Sequence, residues 1–180
     1  MRTIDKRSKF SRRIVLQGAA AAPAVAAGIG IISAECAWAQ AAKTLQPRTM
    51  AILVRAARDI FPHDQFPDRL YVVAVYPYDE KAATDAALKE LLEGGAARLD
   101  ADARARHGSG YLELNWEDDR VGLLRAIEHT PFFKKLRGDL VVTLYNQKEV
   151  WTKLGYEGSS FEYGGYLQRG FNDIDWLPTT

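Results

Sequence analysis

The chain has 180 residues, 24 Lys and Arg against 23 Asp and Glu, and one cysteine. The basic charge is concentrated at the start: six basic and two acidic residues fall in the first 39, which leaves 18 basic against 21 acidic, a net charge of −3, in the other 141 residues. That balance excludes an electrostatic case for binding nucleic acid or an anionic membrane, and the length suits one domain with a core of its own.

Residues 2–13 carry Arg2, Lys6, Arg7, Lys9, Arg12 and Arg13 against Asp5. "GAAAAPAVAAGIGIISA" follows, apolar but built from small residues, and "AWAQA" places Ala37 and Ala39 as a small-residue cleavage signal before Gln40. Charged region, apolar region and cleavage signal together make a signal peptide. "SRRIVLQ", with Arg12 and Arg13, resembles the twin-arginine export signal, which carries folded cargo to the bacterial periplasm. A retained membrane anchor is the competing reading, and Pro23 and the short apolar stretch weigh against it. Cleavage after Ala39 removes Cys36, which excludes a disulfide, a thiolate-bound cluster and a covalently attached c-type haem from the remaining chain.

From Pro47 the spacing is helical, with Met50, Leu53, Val54, Ala57, Ile60 and Phe61 on one face and Pro62 as the stop. "HDQFPD" reads as a loop. "RLYVVAVY" is β-branched, but no strand of similar quality exists to pair with it, so a short helix is expected. Asp79 or Thr84 is expected to cap the next helix. Its apolar face is Ala87, Leu88, Leu91, Leu92, Ala96 and Leu99, with a weak point at Gly94-Gly95 and a stop at "RARHG". Asn115 reads as the cap of a helix whose first turn holds Glu117, Asp118 and Asp119, with Val121, Leu124 and Ile127 inward. Thr130-Pro131 opens another, with Phe133, Leu136, Leu140, Val141, Leu144 and Tyr145 apolar. Beyond Trp151 and Leu154 the period ends in a tail rich in glycine and aromatics. The expected fold is all-α: a single domain of four to five helices, residues 40–180, with an irregular tail.

Chemistry is sparse. His63, Asp64 and Asp68 form the best catalytic or metal-binding constellation, yet the three histidines (63, 107 and 129) show no metal-ligand spacing. Ser159 and Ser160 lack a nucleophile elbow. Gly164, Gly165 and Gly170 lack the order and the strand–helix context of a dinucleotide site. The expectation is a chain with no catalytic, cofactor-binding or metal-binding residues. An export signal suited to cofactor-loaded cargo then implies that the cofactor belongs to a partner.

Three stretches carry a family resemblance: "LVRAARDIFPHDQFPD" (53–68), "LLRAIEHTPFFKKLRGDLVVTLYNQKEVWTKLGY" (123–156) and "GSSFEYGGYLQRGFNDIDWLP" (158–178). The chain resembles the gluconate 2-dehydrogenase subunit 3 family, the small or gamma subunits of membrane-associated bacterial dehydrogenases. The resemblance implies a non-catalytic subunit in a periplasmic complex. Its partner is a large flavoprotein of the glucose–methanol–choline type, which holds FAD and oxidises a sugar, sugar acid or alcohol. A multi-haem cytochrome c often forms a third subunit. The small subunit binds the flavoprotein, supports its maturation and supplies the signal read by the twin-arginine translocase. Tyr71–Tyr78 matches no motif of the family. A free-standing periplasmic binding module, or a small enzyme, is the alternative.

The tail "YGGYLQRGFNDIDWLP" admits two roles together. Phe171 and Trp176 are expected to close the fold, while Tyr163, Tyr166 and Arg169 face a partner, since Tyr, Trp and Arg anchor interfaces. The full set of partner-contact candidates adds Tyr156, Gly164, Gly165 and Asp173 to these five.

Overall fold

A computed structural model describes residues 42–167. The calls on Arg12, Arg13, Ala37, Ala39 and Gln40, and those on Arg169, Gly170, Phe171, Asp173 and Trp176, lie outside the described residues. The described residues form seven α-helices and no strand: α1 Pro47–Ile60, α2 Asp68–Val75, α3 Pro77–Ala82, α4 Ala86–His107, α5 Glu117–Ala126, α6 Pro131–Tyr145 and α7 Lys148–Leu154. Short 3-10 turns cover Tyr111–Glu113 and Ser160–Tyr163. The helical class expected from the sequence holds. The helix count is higher than four to five because α3 and α7 are too short to show a period of their own. None of the described helices is long and apolar enough to cross a membrane.

Helix α1 is the central element and packs against α2, α4, α5 and α6. Pro47 sits in its first turn, and Phe61 N–H closes its last turn on the Ala57 carbonyl before Pro62. The expected single apolar face is too narrow a description. Thr49 to Val54 are buried without a break, as are Ala56, Ala57 and Asp59, because neighbours surround the helix. Helix α2 forms from the β-branched run, burying Leu70, Tyr71, Ala74 and Val75. These positions follow helical spacing, not the alternation of a strand. Pro77 starts α3 directly after α2. With no N–H to offer, Pro77 cannot continue the ladder of α2.

The cap of α4 is Asp85, whose Oδ1 accepts the Leu88 N–H at 2.9 Å. Neither expected residue serves: Asp79 is buried within α3, and Thr84 Oγ1 donates to the Lys81 carbonyl. Gly108 ends α4 at φ 75°, after Arg104, Arg106 and His107. Helix α5 begins after Trp116 with no side-chain cap, so Asn115 does not have the role expected of it. Glu117, Asp118 and Asp119 do occupy its first turn, where their charge complements the helix dipole. Thr130 caps α6 by accepting the Phe133 N–H at 3.3 Å. Leu136, Leu140 and Leu144 are fully buried, but Phe132 rather than Phe133 enters the core, and Val141 is exposed.

Gly94 and Gly95 lie inside an unbroken α4 and differ from each other. A Cβ on Gly95 would stand 2.1 Å from the Phe132 ring, whereas one on Gly94 would meet nothing within 4 Å. Gly95 is the slot through which α4 and α6 approach. Gly94→Ala is therefore expected to raise stability by about 0.5–1 kcal/mol through helix propensity. Gly95→Ala should instead lower it by about 1–3 kcal/mol through overpacking. Urea unfolding of the two variants checks the contrast. Equal shifts would contradict the close approach.

Two charged clusters tie the helices across the core. Arg120 of α5 donates from Nε to Asp59 Oδ2 at 2.8 Å and from Nη2 to Oδ1 at 3.0 Å. Its Nη1 donates to the Leu114 carbonyl at 2.8 Å, and Tyr111 OH donates to Asp59 Oδ2 at 2.7 Å. Burial and the Asp59 carboxylate beside it push the Tyr111 hydroxyl far above its ordinary range. Beside this cluster, Asp100 of α4 accepts the Arg48 guanidinium at 2.8 Å and the Tyr111 N–H at 2.9 Å.

Candidate functional site

The candidate surface is built from the chain that follows α6. Tyr145 ends that helix and faces the loop after α1: its OH lies 2.7 Å from His63 Nε2. Gln147 then turns the chain, donating from Nε2 to the Leu70 and Thr143 carbonyls at 2.9 and 3.1 Å. In α7, Val150 is fully buried. Trp151 donates its indole N–H to the Tyr145 carbonyl.

Helix α7 closes at Gly155, whose φ of 74° suits glycine. Tyr156 N–H reaches back to the Trp151 carbonyl at 2.8 Å and Gly155 N–H to the Thr152 carbonyl at 3.3 Å, the paired closure of a Schellman motif. The closure sets Tyr156 edge-on to Trp151, with ring centroids 5.5 Å apart. The pattern repeats nine residues later. Gly165 N–H reaches the Ser160 carbonyl at 2.8 Å and Gly164 N–H the Phe161 carbonyl at 3.3 Å, with Gly164 at φ 83°. Gly164 and Gly165 thus act by turning the backbone.

These two closures present apolar side chains to solvent. Among the described residues, six of the eleven exposed large apolar side chains fall between Leu154 and Leu167. They are Leu154, Tyr156, Phe161, Tyr163, Tyr166 and Leu167, with Phe161 88% and Leu167 89% exposed. Tyr163 OH donates to the Glu157 carbonyl at 3.3 Å. Isolated exposed apolar residues are ordinary, whereas these six fall in one stretch of chain on hydrogen-bonded turns. Tyr156, Tyr163 and Tyr166, which the sequence offers as partner-contact candidates, are all exposed in this stretch. Phe161 and Leu167, the most exposed of the six, are not among those candidates. They occupy the same aromatic stretch, and an apolar count without the expectation of burial would have found them.

The residues of the alternative constellation have other partners or face solvent. His63 stacks against Phe66 at a centroid distance of 4.2 Å and meets Tyr145, and burial lowers its pKa. Asp64 is exposed, and Asp68 pairs with Arg58. His107 lies 3.9 Å from Asp119, and His129 is exposed beside Glu128. Ser159 and Ser160 sit at the start of the 3-10 turn. Among the described residues no group of three His, Cys, Asp or Glu is placed to hold a metal ion.

A cleft of about 180 Å³ opens between α1, α5 and α6, with Ile60, Leu124 and Phe133 as apolar walls and Arg125, Glu128 and Arg137 around them. Small-molecule sites usually enclose about 300 Å³ or more, a volume this cleft does not reach. Compared with models of known families, with characterised proteins and with solved structures, the chain matches none.

Proposed function

We propose that this chain is the non-catalytic small subunit of a periplasmic FAD-dependent dehydrogenase complex. It docks on the large flavoprotein subunit and supplies the twin-arginine signal on which both leave the cytoplasm. The cofactor is FAD in the partner, the substrate class is a sugar, sugar acid or alcohol, and a multi-haem cytochrome c is the expected electron acceptor. What supports the reading is the resemblance to the subunit 3 family along residues 53–68, 123–156 and 158–178, together with the paired Arg12 and Arg13. The observation that carries the docking role is the exposed run from Tyr156 to Leu167, because it lies in the stretch where that resemblance is most specific. Tyrosine and phenylalanine give contact area at little cost in conformational freedom.

The test has two arms. The tagged chain purified from periplasm should bring down a large partner with a flavin absorbance spectrum, and Arg12→Lys with Arg13→Lys should leave that flavoprotein in the cytoplasm. Phe161→Ala with Tyr166→Ala should release the partner while shifting the melting of the isolated chain by no more than about 0.5 kcal/mol, as expected for exposed sites. A flavoprotein that reaches the periplasm without the twin-arginine pair would overturn the export role. A complex indifferent to Phe161 and Tyr166 would overturn the docking surface.

A further inference from the structure

Helix α6 carries a ridge that the core does not fully cover. Phe133, Arg137, Val141 and Tyr145 follow one another at a spacing of four, so they are neighbours along one side of the helix. At the far end Tyr145 packs edge-on against Phe61, with ring centroids 5.7 Å apart. At the near end Phe133 and Arg137 line the cleft of about 180 Å³, together with Ile60 and Leu124. Between them Val141 is 51% exposed. Arg125 and Arg137 stand in the lining of the cleft, and both are exposed. Among the described residues neither makes an ion pair or a side-chain hydrogen bond. Of the two acids there, Asp59 is held by Arg120, and Glu128 lies 3.3 Å from the His129 imidazole. The cleft therefore offers apolar walls and two cations, which complement an occupant that is both apolar and acidic.

The chain itself supplies a segment of that chemistry. After Leu167, where the described residues end, the sequence reads "QRGFNDIDWLPTT" (168–180). Asp173 and Asp175 interleave with Phe171, Ile174 and Trp176, and no base follows Arg169. The segment sets out from near the ridge. The Trp151 indole donates to the Tyr145 carbonyl, and a Cβ on Gly158 would meet the Trp151 and Tyr163 rings at 3.6 and 3.8 Å. From Tyr145 back to Arg137 the ridge runs about 12 Å. The stretch from Leu167 to Trp176 reaches about 30 Å when extended, enough to follow it to the cleft. We propose that residues 171–176 dock on this ridge, with Trp176 in the α1–α5–α6 cleft and Asp173 and Asp175 paired with Arg125 and Arg137. A guanidinium takes a carboxylate in a two-pronged, charge-assisted contact, and an indole buries the largest apolar area of any side chain. Docking would cover Val141 and give the fold-closing role expected of Phe171 and Trp176 a place on the domain. The inference does not depend on the dehydrogenase reading, since both surfaces belong to this chain.

The test uses the purified full chain with its methyl groups labelled for NMR. Trp176→Ala should shift the Val121 and Leu124 methyl signals, because both residues line the cleft and would lose the ring that faces them. The fully buried Leu136 and Leu140 report in the same spectrum that the fold is intact. Arg125→Glu with Arg137→Glu, at exposed positions, should move the Val121 and Leu124 signals in the same direction. Adding Asp173→Arg with Asp175→Arg should bring them back, since the reversed pairs again attract. Val121 and Leu124 signals indifferent to Trp176→Ala would overturn the proposal and leave the cleft to a separate partner. Wild-type signals that change with protein concentration would place the tail of a second copy there and overturn the intramolecular docking. A double arginine reversal without effect, or one that the aspartate reversal fails to rescue, would overturn the ion pairs.

Discussion

Asp59→Ala is expected to lower stability by about 3–5 kcal/mol, because it leaves the buried Arg120 guanidinium without its counter-charge. The Arg120 side chain is 6% exposed and that of Asp59 3%, so water cannot replace the lost partner. The Tyr111 hydroxyl loses its acceptor in the same change, and Tyr111 is itself fully buried. Set against a typical total of about 5–15 kcal/mol, the loss is a large share of the fold's margin. The pair is nonetheless weak evidence of net stabilisation, since burying both charges costs about as much as their attraction returns. The double variant Asp59→Leu with Arg120→Met should therefore recover most of the loss. Urea unfolding of the single and double variants decides it. A single variant that costs less than about 1 kcal/mol would mean that water reaches Arg120 in its absence.

Asp79→Ala should cost about 3 kcal/mol by removing three charge-assisted hydrogen bonds, with the loss concentrated at the chain's start. The effect is limited because residues 43–45 can leave for water, at the expense of burying Leu45. Hydrogen exchange should therefore show those amides losing protection, while α6 keeps its own. The same carboxylate gives the fold an acid limit. Burial alone would raise the Asp79 pKa, but the Leu45, Lys43 and Thr44 N–H groups outweigh it and hold the pKa below the ordinary carboxylate value. Asp100 is lowered too: burial is outweighed there by the Arg48 guanidinium and the Tyr111 N–H. A carboxylate with a depressed folded pKa contributes stability that is fully present above its unfolded value, near about 3.9. That contribution is lost as pH falls through the lowered folded value. Melting temperature should fall with acidification below about pH 4, and Asp79→Ala should flatten that fall. An unchanged pH profile in the variant would remove Asp79 as a contributor.

Local rules were enough to read the frame. Pro47, Thr130-Pro131 and Gly108 marked ends of α1, α6 and α4, because a ring without an N–H, a hydroxyl cap and a left-handed residue act within one turn of themselves. The leucines of α4 and α6 follow a period that tertiary packing had only to accept. For "RLYVVAVY", the lack of a partner strand mattered more than β-propensity, and that lack was visible in the sequence. The glycine–aromatic stretch after α7 was also visible as a place where regular structure stops. What it does there rests on the family resemblance and on the exposure of Phe161, Tyr166 and Leu167.

The sequence by itself determined the helical class, the helix ends at Pro47, Gly108 and Thr130-Pro131, and the position of the aromatic run, since each depends on residues within about four of one another. Only the tertiary structure decided which polar groups meet. Asp59 and Arg120 are 61 residues apart, and Asp79 and Leu45 are 34 apart. No period links such pairs, so an acid that looks like a helix cap can become a buried clasp. The difference between Gly94 and Gly95 has the same origin. Both are neighbours on one helix, and only the approach of Phe132 from another helix distinguishes a tolerant position from a required one.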